Sequence, residues 1–94
     1  MKRVALITGG QRGIGLAVAH SLADAGFDIA LASEVDAGDE TVANALRSLG
    51  PSARYYRHDL RDISGVAALL DRVEGGLGPV TTLVSNAGVS ARQR

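Results

Sequence analysis

Short continuous apolar runs in this 94-residue chain are separated by stretches whose apolar residues recur at helical spacing. This alternation limits the possible folds more than any other feature. Val4-Ala5-Leu6-Ile7 and Ile29-Ala30-Leu31-Ala32 are apolar without a break, as strands covered on both faces must be. Ala53 to Arg57 reads as a third strand, less apolar and partly exposed. Val80 to Ser85, centred on Leu83-Val84, reads as a fourth. Between them, Gly13 to Ala25 carries Ile14, Val18 and Leu22 as a helical stripe flanked by Ala17, Ser21 and Ala25, and Gly26 stands at the helix stop. Gly38 to Leu49 follows with Val42, Ala45, Leu46 and Leu49, closed by Gly50-Pro51. The last helix has Val66, Leu69, Leu70 and Val73 as its stripe and Asp62 or Ser64 as its cap. Gly75, Gly76, Gly78 and Pro79 are expected to break it.

The order βαβαβαβ implies right-handed crossovers and an α/β fold: a doubly wound parallel sheet with helices on both faces. The pattern stops just after a strand, so the expectation is the first part of such a sheet, one domain over residues 1–94 within a longer chain, with one edge of the fourth strand lacking its next neighbour. Ten basic residues balance ten acidic ones, which gives no electrostatic case for nucleic acid or an anionic membrane. No window is long enough for a membrane span. The apolar part of MKRVALITGG is too short for a signal peptide. The absence of cysteine removes a disulfide framework and any thiolate metal site. No metal site is expected, and a cytoplasmic protein is the default reading.

The stretch TGGQRGIG, Thr8 to Gly15, lies where the first strand passes into the first helix. Gly9, Gly13 and Gly15 have the spacing G-x-x-x-G-x-G. A turn of this kind gives a tight exit from the strand, a position without Cβ beside a pyrophosphate, and close packing of helix on strand. The helix N-terminus adds unpaired N–H groups and a partial positive charge. The alternative is a flexible turn. At the end of the second strand, Ser33 and Glu34 stand where an acid commonly accepts from adenosine ribose hydroxyls, with Asp36 just past. Glu34 would suit NAD; it could equally be a solvated loop acid. Arg12 points the other way, since a guanidinium in the glycine loop suits the 2′-phosphate of NADP; it could equally be a solvated loop arginine. The balance leans slightly to NADP, because Ser33 could hydrogen-bond a phosphate while Glu34 swings out. Asp59 and Leu60 end the third strand, where an aspartate can reach an adenine amino group and a leucine can lie against the ring. His58 reads as a surface or turn histidine, and His20, opposite its helix stripe, as exposed. Asn86-Ala87-Gly88 ends the fourth strand, at the carboxyl edge where open α/β sheets bind ligands.

Taken together, these residues resemble the short-chain dehydrogenase/reductase family. Thr8-Gly9-Gly10-Gln11-Arg12-Gly13-Ile14-Gly15 matches the family's T-G-x-x-x-G-[IL]-G motif, so Gln11 and Ile14 join the coenzyme-binding candidates. Asp59 matches its adenine-contacting aspartate. Asn86-Ala87-Gly88 matches the end of its N-N-A-G motif, with Ser85 in place of the first asparagine. The resemblance is nearest to the bacterial 3-oxoacyl-acyl-carrier-protein reductases, which often carry an arginine where Arg12 sits. It implies a Rossmann-type coenzyme domain, NADP or NAD as cofactor, hydride transfer to or from a carbonyl or alcohol substrate, and a homotetramer. The family's catalytic tyrosine, the lysine four residues after it, its serine and its second asparagine all lie beyond the N-A-G turn. Tyr55 is followed four residues on by Asp59 and Tyr56 by Leu60, so neither begins Tyr-x-x-x-Lys. No catalytic residue is therefore assigned. A non-catalytic dinucleotide-binding module and an inactive fragment are the alternatives.

Overall fold

A computed structural model describes residues 3–9, 13–59 and 65–85. The elements in chain order are β1 (Arg3–Thr8), α1 (Gly13–Asp24), β2 (Phe27–Ser33), α2 (Glu40–Leu49), β3 (Ala53–Arg57), α3 (Val66–Leu77) and β4 (Val80–Ser85). The strands form one sheet in the order β3-β2-β1-β4. All its pairings are parallel. The chain winds outward from β1 through β2 to β3 and then crosses back to lay β4 on the other side of β1. The strand order thus reverses between β1 and β4, and in open α/β sheets the crevice at such a point receives the ligand. This is the Rossmann-type arrangement expected from the alternation of elements.

The absence of polar alternation in β1 and β2 has a direct structural counterpart. Val4 and Leu6 of β1, with Ala30 and Ala32 of β2, pack with Leu69 and Val73 of α3. Ala5 and Ile7, with Ile29 and Leu31, pack on the opposite face with Ala19 of α1 and Ala45 of α2. Each buried Leu, Ile or Val contributes about 1.5–3 kcal/mol relative to an exposed one, so neither face of these strands tolerates a polar residue without loss. β3 and β4 are the edges of the described sheet. Their residues are half-buried or exposed, and Leu83 is 61% exposed.

The stripe of α1 is rotated from the expected one. Ile14, Val18 and Leu22 were the expected core line. Instead Gly15 and Ala19 are buried, Leu16, Leu22 and Ala23 pack beside them, and Ile14 is 74% exposed. Apolar and small residues run almost all the way round this helix, so its period does not single out one face. The sheet selects the side whose small residues let the helix axis come close. His20 differs as well: it is half-buried, and its Nε2 lies 3.1 Å from Ser48 Oγ, joining α1 to α2.

α2 starts at Glu40 rather than Gly38, because Asp36 and Asp39 build the entry. Asp36 accepts from the Gly38 N–H at 2.8 Å, and Asp39 caps the helix by accepting from the Thr41 N–H at 2.8 Å. Its expected stripe is the observed one: Val42 and Ala45 are buried, and Leu46 and Leu49 pack against the core. The N-cap position of α3 is Gly65, which offers no side-chain cap; Asp62 and Ser64 lie outside the described residues. Gly75 and Gly76 do not break α3. The helix runs through both to Leu77, and Gly78, at φ 112°, caps it by donating to Glu74 O. The Val80 N–H then donates to Glu74 Oε2 at 3.0 Å, carrying the chain into β4.

The adjacent glycines of α3 have different surroundings. A Cβ on Gly75 would meet nothing within 4 Å, whereas one on Gly76 would sit 2.9 Å from the Tyr56 hydroxyl oxygen. Arg72 stacks over the same Tyr56 ring at 5.6 Å, which limits its retreat. Gly75→Ala is expected to raise stability by about 0.5–1 kcal/mol through helix propensity. Gly76→Ala is expected to gain less or to lose stability, and chemical denaturation of the two variants provides the comparison.

Candidate functional site

The first part of the site grows from the end of β1. Thr8 Oγ1 donates to Val84 O at 3.4 Å, joining the carboxyl ends of β1 and β4 at the crevice. Gly9 has φ 67°, and its N–H donates to Ala32 O at 2.7 Å, so the chain leaves the strand while still tied to β2. Gly13 opens α1 at φ 63°. This is the left-handed region, which side chains other than those of Gly, Asn and Asp rarely enter. A Cβ added at Gly13 would meet nothing within 4 Å among the described residues. Gly15 is buried within α1, where the absence of a side chain permits the close approach of helix to sheet. Ile14, between them, points an exposed apolar side chain outward. The first turn of an α-helix presents N–H groups without intrahelical partners, at the positive end of the helix dipole. Among the described residues, the start of α1 therefore combines glycine backbone, room beside Gly13 and a positive potential, features that suit a diphosphate. Gln11 and Arg12 lie outside the described residues.

The second part lies at the carboxyl ends of β2 and β3, where Glu34, Arg57, His58 and Asp59 line a cleft of about 510 Å³. Glu34 and Asp59 are exposed and His58 is half-buried; His58 Nε2 is buried without a hydrogen-bond partner among the described residues. Ser33 differs from its neighbours. β2 extends through Ser33, which is 5% exposed. Its Oγ lies 2.7 Å from the Tyr55 hydroxyl and accepts from the Val35 N–H at 3.2 Å. A hydroxyl committed in this way is not presented to a phosphate, and the physical basis for the lean to NADP through Ser33 is lost. Arg57 donates from Nε to Glu34 O at 3.0 Å. The structure thus brings Glu34 and Asp59 to one cleft and places Ser33 behind it. Leu60, Asn86, Ala87 and Gly88 lie outside the described residues. Tyr55 and Arg57 were missed by sequence reasoning. The available signal was alternation along β3, which puts both on the face that meets Ser33 of the neighbouring strand.

Among the described residues no group of three or more His, Cys, Asp or Glu could hold a metal ion. No helix there is long and apolar enough to cross a membrane.

Comparison with known proteins agrees with this geometry. The family model described as short chain dehydrogenase matches residues 3–94. The chain belongs to this family. A short-chain dehydrogenase/reductase from Sinorhizobium meliloti superposes with a TM-score of 0.81 at 44% identity, over 94% of this chain and 41% of that one. A 3-oxoacyl-[acyl-carrier protein] reductase from Brucella melitensis, solved in complex with NAD, gives 0.78 at 38% identity over 92% of this chain and 33% of that one. Actinorhodin polyketide ketoreductase, solved with NADPH, gives 0.78 at 34% identity over 90% and 33%. The chain spans about a third of the length of the curated relatives it matches.

The positive φ of Gly13 gives a stability test that is independent of any ligand. Gly13→Ala introduces no clash with the described residues but forces a Cβ into the left-handed region, and is expected to cost about 1–2 kcal/mol. Thermal unfolding of the variant beside the parent measures that cost.

Proposed function

We propose that these residues form the coenzyme-binding part of an NAD(P)-dependent short-chain oxidoreductase. The observation that carries this reading is the conformation of Gly13: a left-handed residue whose added Cβ would meet none of the described residues within 4 Å, at the start of α1 and beside the reversal of strand order. In the proposed complex the pyrophosphate lies against Gly13 to Gly15, where the backbone N–H groups of the first helical turn hold it. Gly9 shapes the turn, and Gln11, Arg12 and Ile14 flank the coenzyme. Glu34 reads the adenosine ribose, Asp59 and Leu60 receive the adenine, and Asn86-Ala87-Gly88, after β4, let backbone approach the coenzyme.

The bound coenzyme would supply a hydride acceptor or donor for a carbonyl or alcohol carbon. Reduction of a 3-oxoacyl group carried on acyl carrier protein is the finer reading, supported by the likeness to the Brucella reductase. The chain's own contribution here is to bind and orient; proton transfer at the substrate oxygen is assigned to none of its residues. By family resemblance the protein is read as a cytoplasmic homotetramer. Both NAD and NADP remain within the proposal, and Arg12 supports NADP.

Gly13→Val is expected to abolish coenzyme binding by filling the pyrophosphate space, with circular dichroism showing that the variant is folded. A folded variant that titrates NADPH as tightly as the parent would overturn the placement. Arg12→Ala is expected to weaken NADPH about tenfold more than NADH, the loss of one charge-assisted phosphate contact. Equal losses, measured by fluorescence titration of both coenzymes, would remove Arg12 as a 2′-phosphate ligand.

A further inference from the structure

The backbone between β2 and α2 is held by side chains of β3. Tyr55 Oη donates to the carbonyl oxygens of Ser33, at 3.0 Å, and of Val35. It also lies 2.7 Å from Ser33 Oγ. Arg57 Nε donates to the carbonyl between them, Glu34 O, and the His58 N–H adds a backbone bond to Ser33 O at 2.8 Å. The carbonyls of Ser33, Glu34 and Val35 are therefore all tied to β3. One set of proton positions satisfies the inner bonds. The Val35 N–H donates to Ser33 Oγ, the Ser33 hydroxyl donates to Tyr55 Oη, and the Tyr55 proton is shared between the Ser33 and Val35 carbonyls. Such a closed chain has no group to spare and polarises along its length. A turn pinned at each successive carbonyl has few alternative conformations, and its central residue, Glu34, lines the cleft.

We propose that Tyr55 is a positioning residue that sets discrimination between a 2′-hydroxyl and a 2′-phosphate on the adenosine ribose, by holding the Ser33–Val35 turn that presents Glu34. The inference rests on the coenzyme reading above. A carboxylate carried on a fixed backbone accepts from vicinal ribose hydroxyls and repels a phosphate dianion. The same carboxylate on a slack turn moves aside for the phosphate at little cost. Tyr55 does not touch the coenzyme in this scheme; it fixes the residue that does.

The test uses the full-length protein and measures dissociation constants for NADH and NADPH by fluorescence titration. Tyr55→Phe keeps the ring in the core and removes only the hydroxyl. Its ratio of NADPH to NADH dissociation constants is expected to fall about fivefold relative to the parent, within the range of measured couplings between neighbouring groups. Glu34→Gln is expected to lower the same ratio, and Tyr55→Phe added to Glu34→Gln to lower it no further. A merely structural role would weaken both coenzymes by one factor, leave the ratio unchanged and overturn the proposal. Additive effects in the double variant would also overturn it. Ser33→Ala breaks the same network with a smaller change, and decides the matter by the same ratio if Tyr55→Phe does not fold. The two readings fail differently. A parent protein that binds neither coenzyme sinks the coenzyme reading itself. A parent that binds both, with binding lost in Gly13→Val but the ratio unmoved in Tyr55→Phe, sinks only the role of Tyr55.

Discussion

The burial of β1 on every side is the constraint on which the rest of the molecule depends. Its backbone pairs with β2 along one edge and β4 along the other. Its side chains enter one core with α3 and another with α1 and α2. A strand enclosed in this way cannot be shifted in register by one residue without exchanging the contents of the two cores. Its carboxyl end is therefore a fixed point, and the glycine loop hangs from that point. The placement of the start of α1 thus comes from the sheet, to which Thr8 and Gly9 are tied by hydrogen bonds to Val84 O and Ala32 O.

The two regions of the site are stabilised in different ways. At the glycine loop the chain minimises side chains, and geometry comes from conformations that glycine alone adopts cheaply. At the ends of β2 and β3 side chains hold backbone: the half-buried Tyr55 and the exposed Arg57 donate to carbonyls. In the proposed complex the first region would meet the group common to both nicotinamide coenzymes, and the second the part where they differ, where a held turn would discriminate better than a mobile one.

Particular elements show how far the residues alone can be read. The stripe of α2 was legible because polar residues fill the rest of that helix, leaving one possible inner face. The stripe of α1 was not, because Ile14, Leu16, Val18 and Leu22 surround it, and only the approach to the sheet distinguishes Gly15 and Ala19. Gly75 and Gly76 look like a helix stop by composition. Packing of α3 overrides a cost of about 1 kcal/mol per glycine, and Gly76 makes room for Tyr56. Ser33 was correctly placed at the end of β2, but its partner lies on another strand, and the sequence carries no direct record of which hydroxyl meets which.

By itself the sequence determined the order of elements, the parallel sheet and the position of the glycine-rich stretch between β1 and α1. Each of these depends on local spacing: unbroken apolar runs, helical periods, and glycines between strand and helix. Tertiary structure alone decided which face of α1 is buried, where α3 ends, and that the Ser33 hydroxyl meets Tyr55. Those outcomes depend on contacts between residues distant in the chain, such as Ser33 and Tyr55 on adjacent strands. Their energies exist only once the sheet has brought the partners together.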